Sequence, residues 1–185
     1  MLSSPITITD HKLNSKSKSL ILNSPHLIGI LNATPDSFSQ KSEIFNFENS
    51  IRQARKIIQN GADWIDIGGE SSGPGSIEVS LDKELQRVIP LIKKIREESK
   101  IWISVDTWKA EVARQALQAG ADVINDVTAL RGDSGMASVI AEYKVPIILM
   151  FSKDKTARTT KHLIDYVDVI DTIKSFFNER IISVA

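Results

Sequence analysis

The sequence predicts an α/β fold of the TIM type, a (β/α)8 barrel, with about five to six βα units in this chain. Short apolar runs typical of buried strands alternate with stretches in which apolar residues recur at helical spacing. Such alternation indicates parallel strands joined by right-handed crossovers. Four of the apolar runs end in a cluster of polar residues. Barrels of this type assemble one active site from the carboxyl ends of their strands.

The strands are predicted from short runs rich in isoleucine and valine, as expected for strands that are buried on both faces. The runs are Leu27–Leu31, Trp64–Ile67, Ile101–Val105, Asp122–Asn125 and Pro146–Met150, and a sixth strand is predicted to begin at 181–184.

Five helices are predicted between and after these strands, from the 3.6-residue period of their apolar positions. They lie near 51–58, 81–95, 109–119, 134–143 and 162–179. In the second helix, Ser80 is a candidate N-cap. Pro90 is expected to kink or divide that helix, because proline lacks the backbone N–H that a helix interior requires.

The number of units leaves two interpretations of the sheet. A complete barrel takes about 250 residues, or roughly 31 for each βα unit. The 185 residues therefore form either a doubly wound open sheet or a barrel with fewer than eight units. An open sheet binds its ligand at one switch point, often with a Gly-x-Gly-x-x-Gly turn after the first strand. That turn is absent and polar clusters follow several strands, so the partial barrel is favoured.

Composition and charge narrow the classes of function. Residues 1–25 are mostly polar and are predicted to be an N-terminal arm or hairpin, and 26–185 to be the partial barrel domain. The 23 basic and 23 acidic residues balance, which argues against nucleic acid or an anionic membrane as a partner. No cysteine is present, which excludes disulfides and thiolate metal sites. Without a signal peptide or a long apolar stretch in the sequence, a cytoplasmic protein is expected.

Asn32 stands where the first strand is predicted to end, and Thr34, Pro35, Asp36 and Ser37 follow it. An amide oxygen is a ligand that a hard cation such as Mg²⁺ accepts. Asparagine and aspartate also bond to their own backbone in turns. From these residues alone, a cation site and an ordinary turn both stay open.

Asp106 and Asn125 end two further strands. A carboxylate accepts two parallel hydrogen bonds from a ligand that carries an amino group beside a ring N–H. An asparagine side chain offers both a donor and an acceptor, so the pair suits the edge of a flat heterocycle. The alternative for Asp106 is a cap on the helix that begins near Lys109. No pairing of a nucleophile with a base is evident, and no catalytic side chain is assigned.

A glycine-rich segment, Gly68–Gly75, contains Ser71, Ser72 and Gly73. Glycine permits close approach of the backbone to a ligand and movement of the loop. An ordinary flexible loop is the alternative. A basic run after the fifth strand is suited to a phosphate or to a solvated surface. The run consists of Lys153, Lys155, Arg158 and Lys161.

Four segments of the chain resemble the dihydropteroate synthase family of pterin-binding enzymes. In order, they are Gly29–Ser39 (Gly-Ile-Leu-Asn-Ala-Thr-Pro-Asp-Ser-Phe-Ser), Ile65–Ser71 (Ile-Asp-Ile-Gly-Gly-Glu-Ser), Ser104–Thr107 (Ser-Val-Asp-Thr) and Gly120–Val127 (Gly-Ala-Asp-Val-Ile-Asn-Asp-Val). Their order and spacing agree with the family from about His26 to Met150.

The resemblance implies a (β/α)8 barrel that condenses 6-hydroxymethyl-7,8-dihydropterin diphosphate with p-aminobenzoate and releases diphosphate in folate biosynthesis. It implies that Asn32 binds the Mg²⁺ that carries the diphosphate, and that Ser72, Asp106 and Asn125 bind substrate. Two mobile loops are implied, one around Thr34, Pro35, Asp36 and Ser37, the other around Ser71 and Gly73. The implied partners are the two small substrates, with neither nucleic acid nor membrane, and a homodimer is compatible with the family.

The chain departs from the family's pattern at several positions. Gly73 replaces an arginine, and Ser72 replaces a threonine in the second loop. The family's Asp-Pro-Gly stretch, late lysine and late basic pair have no counterpart in these 185 residues. Two alternatives therefore stay open beside the transferase. One is a non-catalytic pterin-binding module or inactive fragment, and the other is the pterin-binding domain of a tetrahydrofolate-dependent methyltransferase.

Overall fold

The computed structural model of the chain describes residues 12–15, 18–34, 47–73, 75–153 and 166–182. Within these ranges it contains an antiparallel hairpin and a five-stranded parallel sheet flanked by helices. The strands are β1 (Lys12–Ser15), β2 (Lys18–Ile21), β3 (Ile28–Asn32), β4 (Trp64–Gly68), β5 (Trp102–Asp106), β6 (Val123–Asp126) and β7 (Ile147–Leu149). The parallel sheet has the sequential order β3-β4-β5-β6-β7.

Each of the five predicted barrel strands is present, although most bounds move by one residue. The helices are α1 (Phe47–Gln59), α2 (Leu81–Glu98), α3 (Ala110–Ala119), α4 (Met136–Tyr143) and α5 (Val169–Ile182). No helix in the described part of the chain is long and apolar enough to cross a lipid bilayer.

The prediction that Pro90 could divide the second helix is wrong, because α2 runs unbroken through it. Pro90 is exposed, so the pyrrolidine ring lies on the side of the helix that does not pack against the core. Ser80 occupies the N-cap position, but its side chain makes no capping hydrogen bond. Its carbonyl oxygen accepts the first helical bond, from the Glu84 N–H at 3.0 Å.

The predicted sixth strand is also wrong where the structure describes it. Ile181 and Ile182 end helix α5, and 183–185 lie outside the described residues. The apolar residues Val169, Ile173, Phe177 and Ile181 recur every four positions, which continues a helical face to the end of the segment. The predicted start of this helix, at His162, falls in 154–165, outside the described residues.

One face of the parallel sheet is covered by the helices. Alternate strand residues on this face are fully buried against them and form the main core. They are Leu31, Ile65, Ile67, Ile103, Val105 and Ile124. The residues between them face the opposite side, where a complete barrel has its interior. The helix-facing core thus holds the strands, whereas the other face carries polar side chains together with apolar ones. On β3 that face is not buried as expected, since Ile28 and Ile30 are exposed.

The β1–β2 hairpin covers the amino-terminal ends of the central strands. Leu13 and Leu20 pack against Trp64, Trp102 and Val123 in a second apolar cluster. The two indole rings lie 6.2 Å apart between centroids. The hairpin therefore closes the side of the sheet away from the strand ends that carry the polar clusters. The domain boundary near residue 26 stays a prediction.

Asp122 joins three parts of the fold. Its carboxylate, 4% exposed, accepts hydrogen bonds from Arg96 Nη2 at 2.6 Å, Lys18 Nζ at 3.0 Å and the Ile103 N–H at 3.0 Å. These donors belong to α2, the hairpin and β5. If this buried carboxylate is lost, the charged side chains of Arg96 and Lys18 are left without their partner.

We expect Asp122→Asn to lower the free energy of unfolding by about 2 kcal/mol, because charge-assisted hydrogen bonds of a buried group are lost. Urea denaturation followed by far-ultraviolet circular dichroism measures the change. Glu97→Gln, which removes one partner of an exposed ion pair with Lys94, is the control and should change stability little. Equal midpoints for the two variants would contradict the expectation.

Candidate ligand-binding site

The polar residues that end the strands lie in one row across the sheet. The strand register pairs Asn32 with Gly68, Gly68 with Asp106, and Asp106 with Asn125. The row continues to Ile148 on β7. The three predicted side chains at strand ends therefore share the same edge of the sheet, on the face opposite the helices.

The Asp106 carboxylate has no hydrogen-bond partner among the described residues. It does not cap α3, since the Ala110 N–H donates to Asp133 Oδ2 at 2.9 Å and the Lys109 N–H donates to Thr107 Oγ1 at 3.2 Å. Burial raises the pKa of Asp106 to about 7, and the nearby carboxylate of Asp66 adds to the rise. A partly buried carboxyl without a donor destabilises the fold, so its presence favours a binding role.

Asp66 lies at the centre of a hydrogen-bonded chain beside that row. Trp64 Nε1 donates to Ser104 Oγ at 2.7 Å, and the Ser104 hydroxyl donates to Asp66 Oδ1. Asn125 Nδ2 donates to Asp66 Oδ2 at 3.1 Å. These bonds orient the Asp66 carboxylate and the Asn125 amide, whose oxygen stays available as an acceptor.

Asp66 is a residue of the site that was not predicted from the sequence. Its signal was present, since Asp66 interrupts the otherwise apolar run Trp64–Ile67 two positions before Gly68. A two-residue spacing places both positions on the same face of a strand. An acidic residue in the middle of a buried strand is rarely tolerated unless it is paired, which here is achieved by Ser104 and Asn125.

The loop after β4 begins close to helix α2. A Cβ atom on Gly69 would lie 2.7 Å from Val88 Cγ2 and 2.9 Å from Glu84 Cγ, so only glycine permits this approach. The Gly69 carbonyl accepts a hydrogen bond from Arg87 Nη1 at 2.7 Å. The start of the loop is therefore held against the helix.

The loop after β4 brings Ser71 and Ser72, two residues predicted for the site, close to Asp106. The loop, α2 and the segment after β5 together line one small pocket. It is lined by Glu70, Ser71, Ser72, Glu84, Asp106, Thr107, Trp108 and Val127. Ser71 and Ser72 are thus next to the unpaired carboxylate. Gly73 does not line the pocket, and its N–H donates to Ser71 Oγ at 3.3 Å.

Lys109 forms a buried ion cluster at this pocket. Its ammonium donates to Glu70 Oε2 and to Glu84 Oε2, the latter at 2.5 Å. Burial alone lowers the pKa of Lys109, but the hydrogen bonds to the two glutamates outweigh that effect and leave the pKa raised. The lysine stays charged, and its ammonium also lies 4.8 Å from the centre of the Trp108 ring.

The first predicted loop lies mostly outside the described residues. Thr34 is described and half-buried, whereas Pro35, Asp36 and Ser37 fall in 35–46. Of the basic run after the fifth strand, only Lys153 is described, and its ammonium lies 4.2 Å from the centre of the Tyr166 ring. That contact with an aromatic ring gives no support to a phosphate site.

The protein atoms near Asn32 can coordinate a cation only if the ligand supplies most of the coordinating atoms. Asn32 is exposed at the end of β3. Among the described residues no group of three or more histidine, cysteine, aspartate and glutamate side chains is arranged to hold a metal ion. Mg²⁺ is commonly bound by one or two protein oxygens together with substrate phosphates and water. One amide oxygen at this position fits that mode of binding.

Comparison with known proteins identifies the family. Residues 28–185 match the family model described as pterin binding enzyme. The chain belongs to the pterin binding enzyme family. It is 46% identical over 156 residues to the dihydropteroate synthase of Synechocystis sp., an alignment that covers 84% of this chain and 54% of that protein. It is 41% identical over 170 residues to the Escherichia coli K12 dihydropteroate synthase, covering 92% and 60%.

Solved structures of this family have the same fold. The 7,8-dihydropteroate synthase from Vibrio fischeri ES114 superimposes with a TM-score of 0.80 at 43% identity, covering 94% of this chain and 61% of that one. Xanthomonas albilineans dihydropteroate synthase with 4-aminobenzoic acid superimposes with a TM-score of 0.83 at 38% sequence identity. That alignment covers 95% of this chain and 62% of the other chain. The predicted fold class is confirmed, since the five-stranded sheet is a partial barrel. The chain spans between 54% and 62% of the length of these relatives.

Proposed function

We propose that this chain contributes the pterin-binding part of a dihydropteroate synthase, a transferase of folate biosynthesis. The substrates are 6-hydroxymethyl-7,8-dihydropterin diphosphate and p-aminobenzoate. The aromatic amine attacks the methylene carbon of the pterin, the carbon–oxygen bond to diphosphate breaks, and the amine gives up one proton. The observation that carries the proposal is the unpaired Asp106 carboxylate beside the hydrogen-bonded Asn125 and Asp66 pair.

The polar row is complementary to a pterin edge. An amino group beside a ring N–H presents two parallel donors, which match the two oxygens of a carboxylate such as Asp106. Asn125 offers an amide oxygen, because its Nδ2 is already used by Asp66. Aligned, pre-oriented acceptors lose little entropy when the ligand binds. No side-chain nucleophile is required, because the attacking amine is supplied by the second substrate.

We propose Asn32 as the protein ligand of a Mg²⁺ ion that enters with the diphosphate. When bound, the ion neutralises negative charge on the departing diphosphate. The amide oxygen of Asn32 supplies one ligand without adding charge of its own. Assembly as a homodimer and a cytoplasmic location belong to the same proposal and rest on the likeness to the family.

Gly73 supports a second candidate, a pterin-binding module without catalysis. The family's arginine at this position would meet an anionic substrate, and glycine has no such group. A Cβ atom on Gly73 would meet only Ser71 Oγ, at 3.5 Å, so the loop has space for a larger side chain. The module binds pterin through Asp106 and Asn125 but gains little from diphosphate.

Isothermal titration calorimetry with 6-hydroxymethyl-7,8-dihydropterin and with its diphosphate, in Mg²⁺, tests both candidates. We expect the wild-type chain to bind pterin, and Gly73→Arg to bind the diphosphate about tenfold more tightly than wild type does, through a charge-assisted contact. Gly75→Ala is the control, because an alanine at φ +80° strains the same loop without adding a positive charge.

Product formation from p-aminobenzoate separates the candidates. Condensation by the wild-type chain supports the transferase, and pterin binding without product supports the module. A chain that is folded by circular dichroism but fails to bind pterin would refute both.

A further inference from the structure

We propose that Lys109 is a positioning residue that fixes the loop after β4 through Glu70 and so presents Ser71 and Ser72 to the ligand beside Asp106. The inference rests on the proposed function, because the ligand beside Asp106 is the pterin of that proposal. Lys109 itself touches neither substrate in this scheme, and its effect is transmitted through Glu70.

The ammonium of Lys109 connects three segments. Lys109 follows Asp106 by three residues and directly precedes α3. Its partners are Glu70 in the loop after β4 and Glu84 in the first turn of α2. The exposed fractions of the Lys109, Glu70 and Glu84 side chains are 10%, 8% and 1%. An ion pair this sheltered is weakly screened by salt, so it restrains the loop more than an exposed pair would.

The restraint acts where the loop leaves the helix. Before Glu70, the loop is held by the Arg87 bond to the Gly69 carbonyl and by the close packing of Gly69 on α2. After Glu70, the Gly73 N–H donates to Ser71 Oγ, and the Ser76 N–H donates to the Gly73 carbonyl at 3.1 Å, so both bonds lie within the loop. Glu70 therefore stands between the part of the loop held against α2 and the part that carries Ser71 and Ser72.

The geometry also indicates that the ion cluster of Lys109, Glu70 and Glu84 shapes the pocket in addition to stabilising the core. Two carboxylates share one ammonium, and Glu84 Oε1 is buried without a hydrogen-bond partner among the described residues. The buried Trp108 Nε1 likewise has none. Both residues line the pocket with Asp106, Ser71 and Ser72. A cluster selected for stability alone would satisfy these atoms, so the arrangement favours positioning of the loop at the ligand site.

Glu70→Gln is the main test, because it weakens the attachment of the loop while leaving the Lys109–Glu84 pair intact. Amide hydrogen exchange at 71–73 is expected to be about tenfold faster than in wild type, with exchange in α3 unchanged within about twofold. The affinity for 6-hydroxymethyl-7,8-dihydropterin is expected to fall about tenfold, because Ser71 and Ser72 are no longer held beside Asp106.

Lys109→Arg and Glu97→Gln are the matched variants. Lys109→Arg keeps the charge and is expected to retain slow exchange at 71–73, whereas Glu97→Gln removes an exposed α2 carboxylate and is expected to match wild type. Wild-type exchange at 71–73 in Glu70→Gln would overturn the proposal, as would a pterin affinity equal to that of wild type. A wild-type chain that fails to bind pterin refutes the proposed function, while the exchange comparison still decides whether Lys109 fixes the loop.

Discussion

Asp106→Asn is expected to stabilise the fold at pH 8 by about 3 kcal/mol and to weaken pterin binding about 100-fold. The pKa of Asp106 is raised to about 7 by burial and by neighbouring carboxylates, of which Asp66 contributes most. An asparagine has nearly the same shape and carries no charge. The substitution therefore removes a partly buried negative charge, unpaired among the described residues, without opening a cavity.

The pH dependence follows from the direction of the shift. A carboxyl whose pKa is about 7 in the folded state and 3.8 in the reference state binds its proton more tightly when folded. Its contribution is most favourable below about pH 4, declines as pH rises to about 7, and is constant above that. Asparagine does not titrate, so the stability difference between variant and wild type should grow between pH 4 and pH 7.

Binding should change in the opposite direction. The ionised carboxylate accepts two hydrogen bonds from the pterin edge, whereas an asparagine amide offers one acceptor and turns a donor toward a donor. Pterin affinity of the wild-type chain should therefore rise with pH up to about 7 and then level off. The affinity of Asp106→Asn should be low and independent of pH.

Urea denaturation and calorimetry at pH 5, 7 and 8 provide the two measurements. Asp82→Asn, on the exposed first turn of α2, is the control and should leave both quantities nearly unchanged. A destabilised Asp106→Asn at pH 8 would show that the carboxylate has a stabilising partner. Wild-type pterin affinity that does not vary between pH 5 and 8 would show that the charge of Asp106 is not used.

The strands and their polar ends could be predicted because both follow from local sequence. Runs such as Ile65–Ile67 and Ile101–Val105 are too apolar to be exposed, and parallel strands bring their carboxyl ends to one edge. The placement of Asn32, Asp106 and Asn125 in one row needed only the strand register. Their proposed roles in binding pterin and Mg²⁺ remain predictions.

The contacts that orient the site could not be predicted from local patterns. Lys109 lies 39 residues from Glu70 and 25 residues from Glu84 in the sequence. From sequence alone, a lysine is expected on the solvated surface, because lysine is almost never fully buried unless it is paired. Asp66 joins Asn125 across 59 residues. Pairings of this kind are set by tertiary packing. The error at Ile181 and Ile182 has a similar origin, because a short run of β-branched residues suits a helix as well as a strand.

Lys109→Met is expected to lower the free energy of unfolding by about 3–5 kcal/mol, since it leaves the Glu84 carboxylate buried without a counter-ion. Methionine fills a similar volume and has no charge. Urea denaturation measures the loss. Lys94→Met, at an exposed ion pair of α2, is the matched control and should change the midpoint little. A loss no larger than that of the control would mean that Glu84 relaxes into solvent.

The double variant Lys109→Met with Glu84→Met separates stability from positioning. Replacing a buried ion pair by apolar side chains of similar size is often close to neutral, so the free energy of unfolding should recover by about 2 kcal/mol relative to Lys109→Met, although Glu70 still lacks the ammonium. The loop would still lack its attachment at Glu70, and exchange at 71–73 should stay fast although the fold is restored. Slow exchange in the double variant would mean that packing around α2, and not the Lys109 ammonium, holds Ser71 and Ser72 beside Asp106.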